Sequence, residues 1–407
     1  MDFSFNEEQK MFRETVREFC TKEIAPRSME MDRKSRIPDE IIKGMANLGL
    51  LGMTYSSEYG GSEADPILTG IASEEIGRAD LSCALAVFFL VQAAWGKILD
   101  RFGNNSTKEK ILPHVTKGKK WCGIATTEPD IGSDLANMRT VATRSGNEYM
   151  LNGEKMYISG VREATEQMEN GGGYVTLVKT DPKLGTRGLT LMYIPVKESK
   201  LVPGITLTLL EDWGRTGIST GGFALNNVKI PVEDKIGDEN RGFYITMEGY
   251  DYARALIGAV CAGAGFGAIE KGVEYLKQRK AFGQPIGRYE GIQFKLAEDY
   301  AMIEAAWLLS YRALWMLDRE LKGEKNLRFE VSKTCAEAKL IAVDAVSKTA
   351  NDVLQWFGAF GYTTECPVQM AVRGTRSYGW AEGSTEILKI IVARELLGRE
   401  FSATAPR

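Results

Sequence analysis

The chain has 407 residues, a formal net charge of −3 and 44% hydrophobic residues, enough apolar sequence for a substantial core and enough length for two or three domains. A single histidine, His114, leaves no histidine-rich zinc site, and a Ser-His-Asp triad or proton relay would have to run through that one ring. With 51 basic against 54 acidic residues there is no global attraction to nucleic acid, so no nucleic-acid partner is expected.

The opening MDFSFNEEQKMF carries charges where a signal sequence needs an apolar core. No uninterrupted apolar run reaches the roughly eighteen residues of a membrane span, so neither secretion nor a span is expected. Residues 6 to about 118 carry helical periodicity, with a capping box at Asn6 and Gln9, a helix start at Pro38 and a second capping pattern at Ser106 and Glu109. From about 120 to 234 the texture changes to short β-type runs at 173–178, 189–195 and 205–210, separated by glycine and proline. Strands without intervening helices predict a small antiparallel barrel or sandwich.

After about 240 long helical segments return, at 242–280, 288–322 and 328–357, followed by one from about 384. Ile292, Leu296, Ile303, Trp307, Leu314 and Leu317 form an apolar stripe on the second, and Gly258, Gly263, Gly265 and Gly267 on the first predict close helix approach, within or between subunits. The fold class is therefore α+β: an N-terminal helical domain (1–119), a middle antiparallel β-barrel domain (120–236) and a C-terminal four-helix bundle (237–407). Six cysteines (Cys20, Cys83, Cys122, Cys261, Cys335, Cys366) form no CxxC pair and read as scattered thiols of a reducing, cytoplasmic setting.

Four segments have chemistry to offer. Residues 121–134 bring hydroxyls at Thr126, Thr127 and Ser133 beside Gly132, donors suited to a ring edge or a phosphate, although an ordinary polar turn has the same composition. In 151–160, Asn152-Gly153 reads as a tight hairpin turn after which Tyr157 and Ser159 share one face, as a flat heteroaromatic ligand would need. Residues 279–286 join two long helices through a turn in which Arg279 is placed for a pyrophosphate or simply caps a helix end. In 380–386, Glu382 beside Gly383 interrupts helical sequence, where a general base or a plain surface carboxylate would sit.

Together, in this order and spacing, these segments resemble the acyl-CoA dehydrogenase family along nearly the whole chain. The resemblance implies FAD as cofactor, with Thr127, Ser133, Tyr157 and Ser159 at the flavin, Tyr157 standing where tryptophan is common. It further implies that Arg279, Phe282 and Gln355 serve the FAD of a neighbouring subunit in a homotetramer, with Thr385 and Glu386 near the same cofactor. Glu382 falls on the catalytic base; Ala253 occupies the family's alternative location for that base. Asp251 and Arg254 match residues that hold the CoA portion, Ser133 also contacts substrate, and Gly383 stands beside the base. The thioester oxygen is held in the family by the glutamate's own backbone N–H and a flavin ribityl hydroxyl. Burial against Trp380 is expected to raise the Glu382 pKa.

The chain departs from the family at Asp130 and Ile131 in the flavin loop, at 358–361, and at Thr216–Ile218 with Arg215 one place early; an acidic, glycine-rich stretch at 163–173 lengthens the β domain. The implied reaction is dehydrogenation of an acyl-CoA thioester to the α,β-unsaturated enoyl-CoA, with electron-transfer flavoprotein as acceptor. The acyl-lining region 88–95, including Leu90, Val91 and Trp95, is apolar and aromatic-rich, and Ala381 replaces the usual tyrosine before the base. This points to an alicyclic or aryl-bearing acyl group, of cyclohexanecarboxyl-CoA or benzylsuccinyl-CoA type. The alternatives are a short branched-chain substrate, an oxidase or reductase on the same scaffold, or a non-catalytic binding relative.

Overall fold

The computed structural model describes residues 3–401. Six helices build the first region: α1 (Glu7–Phe19), α2 (Ser28–Lys34), α3 (Asp39–Asn47), α4 (Pro66–Ala79), α5 (Ala84–Phe102) and α6 (Asn105–Val115). The capping box of α1 forms as expected: Gln9 N–H donates to Asn6 Oδ1 at 2.9 Å and the Asn6 N–H to Gln9 Oε1 at 3.1 Å. The second expected cap does not form. Helix α6 starts one residue before Ser106, with Asn104 at the N-cap turned to the Glu233 carbonyl instead.

Eight strands follow: β1 (Trp121–Ala125), β2 (Val141–Ser145), β3 (Glu148–Ser159), β4 (Gly172–Lys179), β5 (Leu189–Lys197), β6 (Ile205–Leu210), β7 (Thr220–Pro231) and β8 (Lys235–Ile236). They form one curled sheet in the order β6-β7-β3-β2-β4-β5-β8, with β1 on β4. The sheet is not purely antiparallel: β1 pairs parallel to β4, and β2 touches the end of β4 in the same sense. The tight turn lies at Gly146-Asn147 between β2 and β3, not at Asn152-Gly153. Gly153 sits inside the long strand β3 at a bulge, with φ 146°, and a Cβ there would lie 2.5 Å from the Thr140 Cα. Asn-Gly here marks a backbone contact, not a chain reversal. The acidic stretch after β3 is ordered as a short π-helical turn, Glu163–Gln167, with Glu163 buried and accepting from Ser219 N–H at 3.2 Å.

The C-terminal region holds α7 (Gly242–Gln278), a small hairpin β9 (Lys280–Ala281) and β10 (Gln284–Pro285), α8 (Glu290–Leu321), α9 (Arg328–Trp356), α10 (Val368–Arg376) and α11 (Thr385–Leu397). Helices α7, α8, α9 and α11 make the bundle, and α4 of the first region packs against α7. The α7 glycines serve packing within the chain. A Cβ at Gly263 would stand 2.0 Å from the Glu74 carbonyl of α4, and one at Gly265 would stand 2.4 Å from Ile303 of α8. Among the described residues α7 is the one helix long and apolar enough to cross a membrane, and it is buried as the central element of the bundle.

Candidate active site

A cleft of about 1120 Å³ opens where β1, β3, α5, α7 and the α10–α11 connection converge. From the β region it is lined by Thr126, Thr127, Gly132, Ser133, Tyr157 and Ser159. Tyr157 is reached through a second bulge of β3, adopts φ 60° and is 61% exposed. An aromatic of that size held in left-handed backbone on a concave wall offers a flat platform to a ligand.

From the bundle side the cleft receives Tyr250, Arg254, Trp380, Ala381, Glu382 and Gly383. The α10–α11 connection holds Glu382 at φ 55° and Gly383 at φ 99°. Two buried cations grip it: Arg254 Nε donates to the Glu382 carbonyl at 2.9 Å, and Lys339 Nζ to the Gly383 carbonyl at 2.6 Å. Burial pushes the Glu382 carboxyl up to about 7, against the opposing pull of Arg254, Lys339 and the Trp95 indole. Among the described residues no cation lies within ion-pair distance of that carboxylate, and the Glu382 backbone N–H donates to no protein acceptor.

Trp380, expected to bury the carboxylate, lines the same cleft but is itself 61% exposed, with the Arg376 guanidinium 4.3 Å from its ring centroid. The Trp95 indole of α5 faces the carboxyl and packs edge-on against Tyr250 of α7 at 5.5 Å. The Tyr250 hydroxyl in turn meets Thr126 Oγ1 at 2.6 Å, tying the bundle wall to the β wall.

The residues anticipated from sequence divide into groups. Thr127, Ser133, Tyr157, Ser159, Leu90, Val91, Arg254, Ala381, Glu382 and Gly383 all line the cleft. Trp95 lies behind its wall, wholly buried. Asp251 is also buried off the cleft, its carboxylate taken by Arg254 Nη1 at 2.9 Å and by Arg328, so it orients Arg254 and presents no atom to a ligand. Thr385 and Glu386 begin α11 outside the lining and bond each other, Thr385 Oγ1 to Glu386 Oε1 at 3.0 Å. Arg279, Phe282 and Gln355 are exposed and away from this cleft, Phe282 at 96%.

Three groups escaped the sequence reading. Lys339 is one, and its signal was a lysine among Cys335, Ala336, Ala338, Ala342 and Val343, all buried on α9. Tyr250 is another, one residue before the recognised Asp251. The third is Arg215, noted only as displaced: it lines the cleft at φ 50° and donates to Ser159 Oγ at 3.0 Å and Thr220 Oγ1 at 3.1 Å.

Helices, a curled sheet and a bundle closing around a cleft that pairs a poised carboxylate with a hydroxyl-lined wall define a scaffold for proton-abstracting redox chemistry. Residues 6–119, 123–228 and 240–397 match, respectively, the N-terminal, middle and C-terminal domains of acyl-CoA dehydrogenase. The chain is 33% identical over 398 residues to a probable acyl-CoA dehydrogenase, YngJ, of Bacillus subtilis, covering 98% of this chain and all of that one. It is 30% identical to a cyclohexane-1-carbonyl-CoA dehydrogenase of Geobacter metallireducens over 97% of this chain and 99% of the relative. The solved structure of butyryl-CoA dehydrogenase from Megasphaera elsdenii superposes with a TM-score of 0.88 at 29% identity, covering 98% of this chain and 100% of that one. The chain belongs to the acyl-CoA dehydrogenase family and is an oxidoreductase of that FAD-dependent class.

Proposed function

We propose that this enzyme dehydrogenates a bulky, alicyclic or aryl-bearing acyl-CoA thioester across its α,β bond, with Glu382 taking the α proton. The observation that carries the reading is Glu382 itself: cleft-lining, free of any ion-pair partner, with a pKa near 7. A carboxylate so raised is a stronger base than an aqueous one and is still ionised in half or more of the molecules at and above neutrality. Its unpaired backbone N–H supports a role as donor to the thioester oxygen, where charge develops as the proton leaves. Arg254, fixed by Asp251, holds the turn from which both groups act.

The donor set fits a flavin. The Tyr157 platform, the hydroxyls of Thr126, Thr127, Ser133 and Ser159, and the Gly132 backbone enter the cleft from the β region, and the carboxylate from the bundle side. FAD bound there would supply the two-electron acceptor for hydride from the β carbon. Exposed Arg279, Phe282 and Gln355 support a cleft completed by a neighbouring copy in a homotetramer. Electron-transfer flavoprotein is the expected acceptor.

For the acyl group, the supporting feature is the wall around Glu382. The aromatics Phe88, Phe89 and Trp95 of α5 are buried in the core, so the cleft is bounded there by the aliphatic Val87, Leu90 and Val91, with Ala381 adding only a methyl beside the base. That leaves room for a ring. One observation supports a carboxylated variant of benzylsuccinyl type: Arg215 brings a cation to the cleft from outside α5, loosely paired with Asp212 at 4.0 Å.

Glu382→Gln tests the base. The variant should keep FAD and fold while flavin reduction by substrate, followed by stopped-flow bleaching, falls about 10²–10⁴-fold; near-normal reduction would place the base elsewhere. Comparing butyryl-, isobutyryl-, octanoyl-, cyclohexanecarboxyl- and benzylsuccinyl-CoA tests the pocket, and a clear preference for a linear chain would refute the broad acyl site.

A further inference from the structure

Lys339 has no surface to reach. It is 0% exposed on α9, and among the described residues no carboxylate stands within ion-pair distance of it. Burying an ammonium without a paired anion costs several kcal/mol unless its hydrogen bonds are met. Its hydrogen-bond partner is the Gly383 carbonyl, at 2.6 Å. Three charged groups or thiols face it: Arg254 and Cys261 from α7 and Glu382 from the α10–α11 connection.

The carbonyl it holds is the second of two in succession. Arg254 takes the Glu382 carbonyl and Lys339 takes that of Gly383, so two helices grip consecutive peptide groups. Those peptides flank Gly383, at φ 99°, and follow directly on Glu382, whose left-handed conformation costs a side-chain-bearing residue about 1–2 kcal/mol and persists only where the surroundings enforce it. The two cations are not equivalent. Asp251 neutralises Arg254, and Arg328 secures Asp251. Lys339 has no such counter-ion, and its charge acts on Glu382.

We propose that Lys339 is a positioning residue for the base: by holding the Gly383 carbonyl it fixes the turn that presents Glu382 to the cleft, and its positive charge favours the ionised carboxylate. The proposal rests on Glu382 being the base. Burial drives Lys339 down to about 7 while Glu382 rises to about 7, so each proton weighs on the other. A methionine in this place would fill the same space and pack as well, but would hold no carbonyl.

The test uses FAD-loaded wild type, Lys339→Met, Lys339→Arg and Glu382→Gln, with the ester of the panel above that reduces wild type fastest. Limiting rates of anaerobic flavin reduction are measured from pH 5.5 to 9, a range spanning about 7. Lys339→Met should lower the limiting rate about 10²-fold, as a displaced catalytic group does. Its ester dissociation constant should stay within about threefold, since Lys339 does not line the cleft. The pH midpoint should move upward, because the cation that favours the ionised carboxylate is gone. Wild-type rate and midpoint would overturn the proposal, as would a slower variant whose midpoint is unmoved and whose ester binding is weakened, the mark of a merely structural role. Should Lys339→Met lose its flavin, Lys339→Arg decides: a wild-type midpoint and a rate within about tenfold support the role, and a shifted midpoint overturns it. Glu382→Gln separates the two readings. If it reduces normally, the base assignment fails; if it is silent while Lys339→Met matches wild type, only the role of Lys339 fails.

Discussion

The β region and the bundle each hold a buried lysine beside a glutamate, Lys155 with Glu128 and Lys339 with Glu382, and the two pairs have opposite characters. In the β region Lys155 Nζ reaches the Thr126 carbonyl at 3.0 Å and Glu128 Oε1 at 3.2 Å, and Glu128 also accepts from the N–H groups of Arg139 and Thr140 at 2.7 and 2.8 Å. Burial alone would push the Glu128 carboxyl up, but the lysine and the amides outweigh it and its pKa is lowered. In the bundle Lys339 donates to the Gly383 carbonyl and Arg254 to the Glu382 carbonyl and to Asp251, the carboxylate of Glu382 gets no hydrogen bond from either, and its pKa rises to about 7. The same residue types make a structural ion pair when the cation meets the carboxylate and a poised base when it meets the backbone beside it.

Breaking the β-region pair should be the most damaging change. Lys155→Met leaves Glu128 buried with a charge and no cation, and is expected to cost about 3–5 kcal/mol in chemical denaturation. A loss below about 1 kcal/mol would mean that the two amides suffice to hold the carboxylate. The pair also has a pH signature. Because Glu128 is depressed below its ordinary 4.5, its contribution is present above that value and is lost as the pH falls through the lower native one.

Glu382 has the reverse sign. Its native pKa of about 7 lies above the ordinary 4.5, so its ionisation costs stability above pH 7 and nothing below 4.5. Glu382→Gln should therefore be more stable than wild type at pH 8, by up to about 3 kcal/mol, with the gap closing as the pH falls from 7 to 4.5. Thermal unfolding of both proteins in the same flavin state checks it, and a gap independent of pH would show that the carboxylate is not raised. In activity the same titration appears as a limiting reduction rate that climbs about tenfold per pH unit below 7 and levels above it.

The contrast also marks what could be read from sequence. Apolar periodicity over tens of residues located α7, α8 and α9 almost to their ends, and local motifs pointed to Thr127, Ser133, Tyr157, Ser159 and Glu382, which the cleft gathers. What escaped depends on pairing across long separations. Lys339 meets Gly383 across 44 positions and Thr126 meets Tyr250 across 124, and no local pattern encodes such contacts. Adjacency misled in two places. Asn152-Gly153 resembles a hairpin turn but lies inside a strand beside Thr140, and Trp380 stands two residues from Glu382 and lines the same cleft but is itself 61% exposed, where a burying partner was expected.

The smallest effect concerns a bond between the two regions, Thr126 Oγ1 to the Tyr250 hydroxyl at 2.6 Å. Lys155 grips the backbone of Thr126, and the Tyr250 hydroxyl, already pushed up by burial, is pushed further by Glu382. The bond therefore links the structural pair, through Thr126, to a tyrosine that faces the base. A buried neutral hydrogen bond contributes about 1 kcal/mol, and removing one partner strands the other. Thr126→Val and Tyr250→Phe should each destabilise by about 1–2 kcal/mol, while the double variant loses less than their sum, giving a coupling of about 1 kcal/mol. Glu382 is set by burial, Arg254, Lys339 and Trp95, so the pH midpoint of flavin reduction in Tyr250→Phe should stay at the wild-type value and its limiting rate within about threefold. A midpoint that moves with Tyr250→Phe would mean that the base is tuned from the β wall as well as from the bundle, and the separation of the two lysine–glutamate sites would fall.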